Sequence, residues 1–171
     1  MKKSILITGI AGSGKTTICH QLNKIGYKAY DIEATKGLFK TFYKDNSKFN
    51  KHNNDNLNEV KNREWICDIK KLKIFMKSQK KFLVFYCGMG TNIYDIFPLF
   101  DKVISLKVSS KILRNRLSGR VKGSYGRTKK IQNWLIDGKK RIEKKMKDNG
   151  AIFISSEGSL GQVINKIIKN V

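Results

Sequence analysis

The stretch Gly9-Ile10-Ala11-Gly12-Ser13-Gly14-Lys15-Thr16 fits the pattern G-x-x-x-x-G-K-[ST] and constrains the fold more than any other part of the chain. Such a loop works between a strand and a helix. Its backbone N–H groups turn inward around phosphate oxygens, and the helix N-terminus adds partial positive charge. The flanking sequence supplies both elements. Ser4-Ile5-Leu6-Ile7-Thr8 is a short apolar run of buried-strand type, and Ile18, Leu22 and Ile25 follow at the i, i+4, i+7 spacing of a helix closed by Gly26. Lys15 is expected to reach the β- and γ-phosphates of a nucleoside triphosphate, and Thr16 to offer its hydroxyl to Mg²⁺. Gly9, Gly12, Ser13, Gly14 and Thr17 complete the expected cradle.

Beyond this unit the chain alternates strands and helices. Tyr27-Lys28-Ala29-Tyr30-Asp31 reads as a second strand, followed by a helical piece whose apolar side is Leu38, Phe39 and Phe42. From residue 44 to 58 the chain is polar and rich in asparagine, with Phe49 as its one core-type residue before Leu57, and a flap is expected over about 44–62. Leu57, Val60, Ile69, Leu72 and Met76 then mark one face of a long helix. Phe82-Leu83-Val84-Phe85-Tyr86 is a continuous apolar run of parallel-strand type, closed by Cys87-Gly88. Two further strands are expected at residues 103–108 and 151–154. Between them lie a helix from about Ser110, a basic loop with glycines, and a helix through Trp134, Leu135, Ile142 and Met146 that stops at Asn149-Gly150. An amphipathic helix on Leu160, Val163, Ile164, Ile167 and Val171 completes the pattern. Five strands alternating with helices imply a single α/β domain over residues 1–171, its parallel sheet covered on both faces.

Composition narrows the partners. The 171 residues carry 36 Lys and Arg against 13 Asp and Glu, a formal net charge of +23. A polyanion partner would account for that charge: nucleic acid, a membrane surface or a highly phosphorylated substrate. A lysine-rich codon bias would account for much of it too, but not for the scarcity of acidic residues. The charge therefore sets an anion preference and names no partner. Cys19, Cys67 and Cys87 are widely spaced without a C-x-x-C, and neither His20 nor His52 joins them in a metal-ligand pattern. Reduced thiols and a cytoplasmic location are expected. No apolar run approaches membrane-spanning length, so a soluble protein without a membrane partner is expected.

In a parallel sheet, ligands bind beyond the carboxyl ends of the strands. Asp31 and Glu33 follow the second strand, and alternation along an extended segment would point both carboxylates the same way. Their expected roles are binding an acceptor hydroxyl or a Mg²⁺ water, with Asp31 as the base or orienting group. A surface pair capping the next helix is the alternative. The third sheet strand ends in Cys87-Gly88-Met89-Gly90-Thr91-Asn92, without the aspartate that holds Mg²⁺ in many ATPases and GTPases. No N-K-x-D pattern is present either, which argues against a GTPase switch or a motor ATPase. Gly88 and Gly90 would let the backbone approach a substrate, or simply turn the chain into a helix. Four of the six arginines, Arg114, Arg116, Arg120 and Arg127, fall within fourteen positions of a chain that otherwise uses lysine. Arginine there points to bidentate phosphate contact or base stacking. Arg116 and Arg120 would share a helical face if the helix reaches that far, and Gly119, Gly123 and Gly126 would hinge a lid over about 118–128.

With these motifs together, the chain resembles the adenylate-kinase-like branch of P-loop kinases, which includes nucleoside monophosphate, shikimate and gluconate kinases. The resemblance rests on residues 9–16, Asp31-Ile32-Glu33, the Cys87-Gly88 turn and Arg116-Leu117-Ser118-Gly119-Arg120, and it spans nearly the whole chain. It implies a three-layer α/β/α sandwich with the sheet in the order 2-3-1-4-5. It also implies ATP and Mg²⁺ as cofactors and transfer of the γ-phosphoryl group to a small-molecule acceptor. In that reading Lys15, Asp31 and Arg120 are catalytic, Arg116 and Arg120 close over ATP, and Thr16 and Asp31 hold the metal. Asp31, Glu33, Arg63, Gly88, Asn92 and Arg127 meet the acceptor. The departures are a glutamate in place of the second aspartate of the D-x-D pattern, a short lid, and Arg63 as the sole arginine between phosphate loop and lid. A polynucleotide 5′-hydroxyl kinase or RNA-linked enzyme, and a nucleotide-binding regulatory protein with little turnover, are the alternative expectations.

Overall fold

The structure, a computed structural model, describes residues 2–45 and 52–171. Its core is a parallel sheet built from β1 (Lys3–Thr8), β2 (Lys28–Asp31), β5 (Leu83–Cys87), β6 (Lys102–Lys107) and β7 (Ile152–Ser155). The lateral order is β2-β5-β1-β6-β7, so the five sheet strands taken in chain order run 2-3-1-4-5, as expected. The central strands are apolar on both faces because both faces are covered. Ile5 and Ile7 of β1, with Phe85 of β5 and Ile104 of β6, pack against α1 (Lys15–Lys24) and α7 (Leu160–Lys169) through Ile18, Leu22, Val163 and Ile167. Leu6, Val84 and Tyr86 face the other way, toward α3 (Ile69–Lys77), α4 (Ile93–Ile96) and α6 (Lys129–Asp148). A third apolar cluster joins α5 (Ser110–Ser118), α6 and α2 (Leu57–Asn62) beneath Ile10 of the phosphate loop.

One segment departs from the sequence expectation. Phe39–Tyr43 is not helical; it is strand β3, paired antiparallel with β4 (Arg63–Cys67), with Thr41 opposite Trp65. The expected long helix is correspondingly split into α2, β4 and α3. It breaks in the gap of its apolar stripe between Val60 and Ile69. Asn56 caps α2 by accepting from the N–H groups of Asn58 and Glu59, and Asp68 caps α3 by accepting from Lys71 N–H. Trp65, Ile66 and the aromatic residues of β3 favour the pleated pairing that fills the gap. The hairpin is bolted to the sheet: Asn92 Oδ1 accepts from Cys67 N–H at 2.9 Å and Asn92 Nδ2 donates to the Cys67 carbonyl at 3.0 Å. The expected flap over about 44–62 is described in part; its Phe49 lies outside the described residues.

Candidate functional site

A cavity of about 1380 Å³ opens at the carboxyl edge of the sheet, lined by the phosphate loop, Asp31, Glu33, the β3–β4 hairpin, α4, α6 and the lid. The sheet order creates it, because β1 and its neighbours send their following loops apart at this edge.

The loop is shaped for a phosphate. Gly9, Gly12 and Gly14 adopt φ of +137°, +85° and +102°, which residues with a Cβ rarely do. A Cβ on Gly12 would stand 2.8 Å from Leu113 Cδ1, so the loop lies close against α5. Ser13 Oγ is buried and has no hydrogen-bond partner among the described residues, the kind of orphan that a bound group satisfies. Lys15 Nζ donates to the Gly9 carbonyl at 2.9 Å and lies 3.9 Å from Glu33 Oε1. Burial lowers the Lys15 pKa, against the opposing pull of Glu33.

Both carboxylates line the cavity, but they meet different partners. Asp31 Oδ2 accepts from Thr16 Oγ1 at 2.9 Å, and Oδ1 accepts from Ala34 N–H at 3.3 Å. A hydroxyl and a carboxylate brought together at the foot of the phosphate loop suit Mg²⁺, a hard cation that takes oxygen ligands and substrate phosphates. Glu33 lies past the end of β2, where the chain turns. Its Oε1 accepts from Met89 N–H at 2.9 Å, and Trp65 stands beside the same carboxylate and opposes the rise in its pKa. Burial raises the Glu33 pKa; Lys15 opposes that rise without cancelling it. Trp65 is a site residue that sequence reading missed, because its segment reads as helix and its reach to Glu33 depends on the hairpin.

The arginines separate. The helix α5 ends at Ser118, so Arg116 and Arg120 do not share a face. Arg116 donates to the carbonyls of Gly12 and Ser13, each at 3.3 Å, and to the Ser156 carbonyl at 2.8 Å, tying the phosphate loop to the segment after β7. Arg120 lines the cavity, and its Nη1 donates to the Tyr125 carbonyl at 2.6 Å. Burial lowers its pKa, and the charges of Tyr125 and Glu33 pull the other way. In the lid, Gly123 and Gly126 have φ of +81° and +84°, whereas Gly119 is an ordinary helix cap at φ −75°. Arg63 lines the cavity, with Nη2 2.7 Å from Asn54 Oδ1.

Three expected acceptor residues stand elsewhere. Gly88 packs beneath Ile32, where a Cβ would meet Ile32 Cγ1 at 2.5 Å, so the absence of a side chain serves this contact. Asn92 spends its amide on the hairpin. Arg127 Nε donates to the Arg120 carbonyl at 2.9 Å, bracing the lid from outside the cavity.

Strand, glycine loop, Lys15–Glu33 pair and lid together define a P-loop fold of the kind found in the adenylate- and shikimate-kinase-like branch. Solved structures share it over nearly the full length of this chain. Shikimate kinase from Acinetobacter baumannii in complex with shikimate superposes with a TM-score of 0.63 at 17% identity, covering 99% of this chain and 93% of that one. Deoxyadenosine kinase from M. mycoides with bound dATP gives 0.56 at 17% identity, covering 98% of each chain. A gluconokinase from Sinorhizobium meliloti 1021 gives 0.52 at 13% identity, with 98% and 90% covered. Residues 5–145 match the AAA domain family, and the chain belongs to that family. Among curated proteins none matches the chain. Among the described residues, no helix is long and apolar enough to cross a membrane.

Proposed function

We propose that the protein is an ATP-dependent phosphotransferase that passes a phosphoryl group to a hydroxyl or phosphate of a small-molecule acceptor. The separation of roles between Asp31 and Glu33 carries this reading. Asp31 is engaged with Thr16 on the phosphate-loop side, while Glu33 is held by Met89 beside Lys15. Mg²⁺·ATP, when bound, supplies the activated phosphoryl group. Gly12, Ser13, Gly14 and Lys15 would hold its phosphates, and Thr16 with Asp31 would hold the metal. Glu33 would take the proton of an acceptor hydroxyl, the role expected of Asp31. Its raised pKa makes it a stronger base at neutral pH than an ordinary carboxylate. Lys15 and Arg120 place positive charge where the transferring group must be neutralised, and burial excludes water that would weaken it. Arg116 positions the phosphate loop through its carbonyl contacts. Similarity in fold to shikimate kinase, deoxyadenosine kinase and gluconokinase supports this class of chemistry.

The test is ADP release from Mg²⁺·ATP across a panel of nucleosides, nucleoside monophosphates, shikimate and gluconate, with Lys15→Ala as the blank. Acceptor-dependent release that Lys15→Ala lacks, with unchanged circular dichroism, is the expected result. Full activity in Lys15→Ala, or a flat panel, removes the proposal.

A further inference from the structure

Outside the cavity, the basic charge of the chain gathers on one helix and the turn that follows it. Residues 69–94 hold six lysines and no acidic residue. In α3 the lysines follow the helix period. Lys70, Lys71, Lys73 and Lys77 are exposed on the side away from the buried Leu72, and Ile74 stands among them at 69% exposure. Lys70, Lys71 and Lys77 are its i−4, i−3 and i+3 neighbours, the positions that share a helix surface with it. The chain leaving α3 continues the pattern with exposed Lys80 and Lys81 and then Phe82, which is 64% exposed. Two contacts add the start of β1 to this surface. Lys3 N–H donates to the Phe82 carbonyl at 2.7 Å, and Lys2 Nζ donates to the Gln79 carbonyl at 2.8 Å. Among the described residues, none of the lysines from 70 to 81 has a salt bridge.

A partner for this surface has to supply negative charge for the lysines and an apolar boundary for Ile74 and Phe82. An anionic bilayer supplies both, and a basic amphipathic helix is the element that reads it. Lysine stems can lie along the apolar boundary while their ammonium groups stay at headgroup level. Nucleic acid supplies phosphates but nothing for the aliphatic Ile74. Its recognition also favours the arginine fork, and none of the six arginines of the chain lies between residues 69 and 94. We infer that α3 and the lysine-rich turn after it form a docking surface for an anionic lipid bilayer. Ile74 and Phe82 enter the acyl boundary, and the lysines meet the headgroups. The expectation of no membrane partner rested on the lack of a spanning run. No helix among the described residues is long and apolar enough to cross a membrane, but adsorption to its surface needs no such helix. The surface shares no residue with the cavity, and its role is independent of the reaction there.

Flotation of the full chain with vesicles tests this at about 0.15 M salt. The vesicles are phosphatidylcholine alone, or phosphatidylcholine with about a quarter phosphatidylserine. The wild-type chain is expected to float with the anionic vesicles and not with the neutral ones. Each lysine near an anionic surface contributes about fivefold in affinity, so Lys70→Gln/Lys73→Gln/Lys77→Gln should lose on the order of a hundredfold. Ile74→Ser/Phe82→Ser should weaken binding about tenfold or more and leave a remainder that added salt removes. All of these side chains are exposed, and an unchanged Tm checks that the variants fold. The charge-matched control Lys129→Gln/Lys140→Gln/Lys147→Gln, made on exposed lysines of α6, should keep most of the binding. A control that loses as much as the α3 triple variant shows that overall charge binds rather than this face, and overturns the inference. So does equal binding to neutral vesicles, binding to neither, or wild-type binding by Ile74→Ser/Phe82→Ser. A single-stranded oligonucleotide that binds more tightly than the anionic vesicles at the same salt, and is lost in the α3 triple variant, assigns the face to nucleic acid instead.

Discussion

Replacing Glu33 by glutamine separates a base from a structural carboxylate. The Glu33→Gln variant keeps the size of the side chain and an oxygen for the N–H of Met89, which lies 2.9 Å from Oε1. What it loses is charge and the capacity to take a proton. Loss of a positioned base costs about 10²–10⁴ in kcat, or about 3–5 kcal/mol of barrier. The attraction to Lys15 at 3.9 Å is about 4 kcal/mol at an effective dielectric of about 20. Solvent reduces that figure, because the Glu33 side chain is 34% exposed. Burial outweighs the attraction and raises the Glu33 pKa in the folded protein. The folded state therefore binds this proton more readily than the unfolded chain, and the ionised form works against stability at neutral pH. Glu33→Gln should then leave Tm level or slightly raised while kcat falls. Because the base acts in its ionised form, wild-type kcat should decline as pH falls through the raised Glu33 value, above the ordinary glutamate range. The variant should lack that limb. Steady-state ADP release from about pH 5 to 9, paired with thermal unfolding, reads both effects. A kcat within about threefold of wild type, or an unchanged acid limb, refutes the assignment of the base.

Other substitutions follow from the same geometry. Asp31→Asn, which weakens the carboxylate beside Thr16 Oγ1, should raise the Mg²⁺ concentration needed for half-maximal ADP release; an unchanged Mg²⁺ dependence would contradict the metal role. Gly88→Ala places a Cβ 2.5 Å from Ile32 Cγ1, and overpacking of this kind should cost about 1–3 kcal/mol in denaturant unfolding. Asn92→Ala leaves both backbone groups of Cys67 without their side-chain partner. It should cost about 1–3 kcal/mol, with hydrogen-exchange protection lost first in the hairpin and ATP affinity retained. Asp101 accepts from Ser4 N–H at 2.7 Å and Ser4 Oγ at 2.8 Å, which lowers its pKa. Its contribution is present at neutral pH and disappears as pH falls through the depressed folded value. Asp101→Asn should therefore lower Tm at pH 7, and the gap to wild type should close in acid.

Much of the scaffold is legible in the residues themselves. The strand–loop–helix unit around residues 9–16 and the five sheet strands follow from short-range patterns, and the strand order from the family resemblance those patterns carry. Continuous apolar runs mark strands buried on both faces, and glycines mark backbone conformations that other residues avoid. Residues anchored to those patterns, Lys15, Thr16, Asp31, Glu33, Arg116 and Arg120, are found around the cavity. The hairpin shows the opposite case. Phe39–Tyr43 and Arg63–Cys67 lie far apart in the chain, and their pairing, with the Asn92 clamp behind it, is a long-range event that neither segment encodes alone. That pairing brings Trp65 beside Glu33, while Asp31 meets Thr16. It also takes up the amide of Asn92. The end of α5 at Ser118, short of Arg120, likewise sends the two lid arginines to different partners. Local sequence determined which chemistry stands at the edge of the sheet. Packing between distant segments decided which atom each side chain meets, because a hydrogen bond depends on tenths of an ångström that only the assembled fold sets.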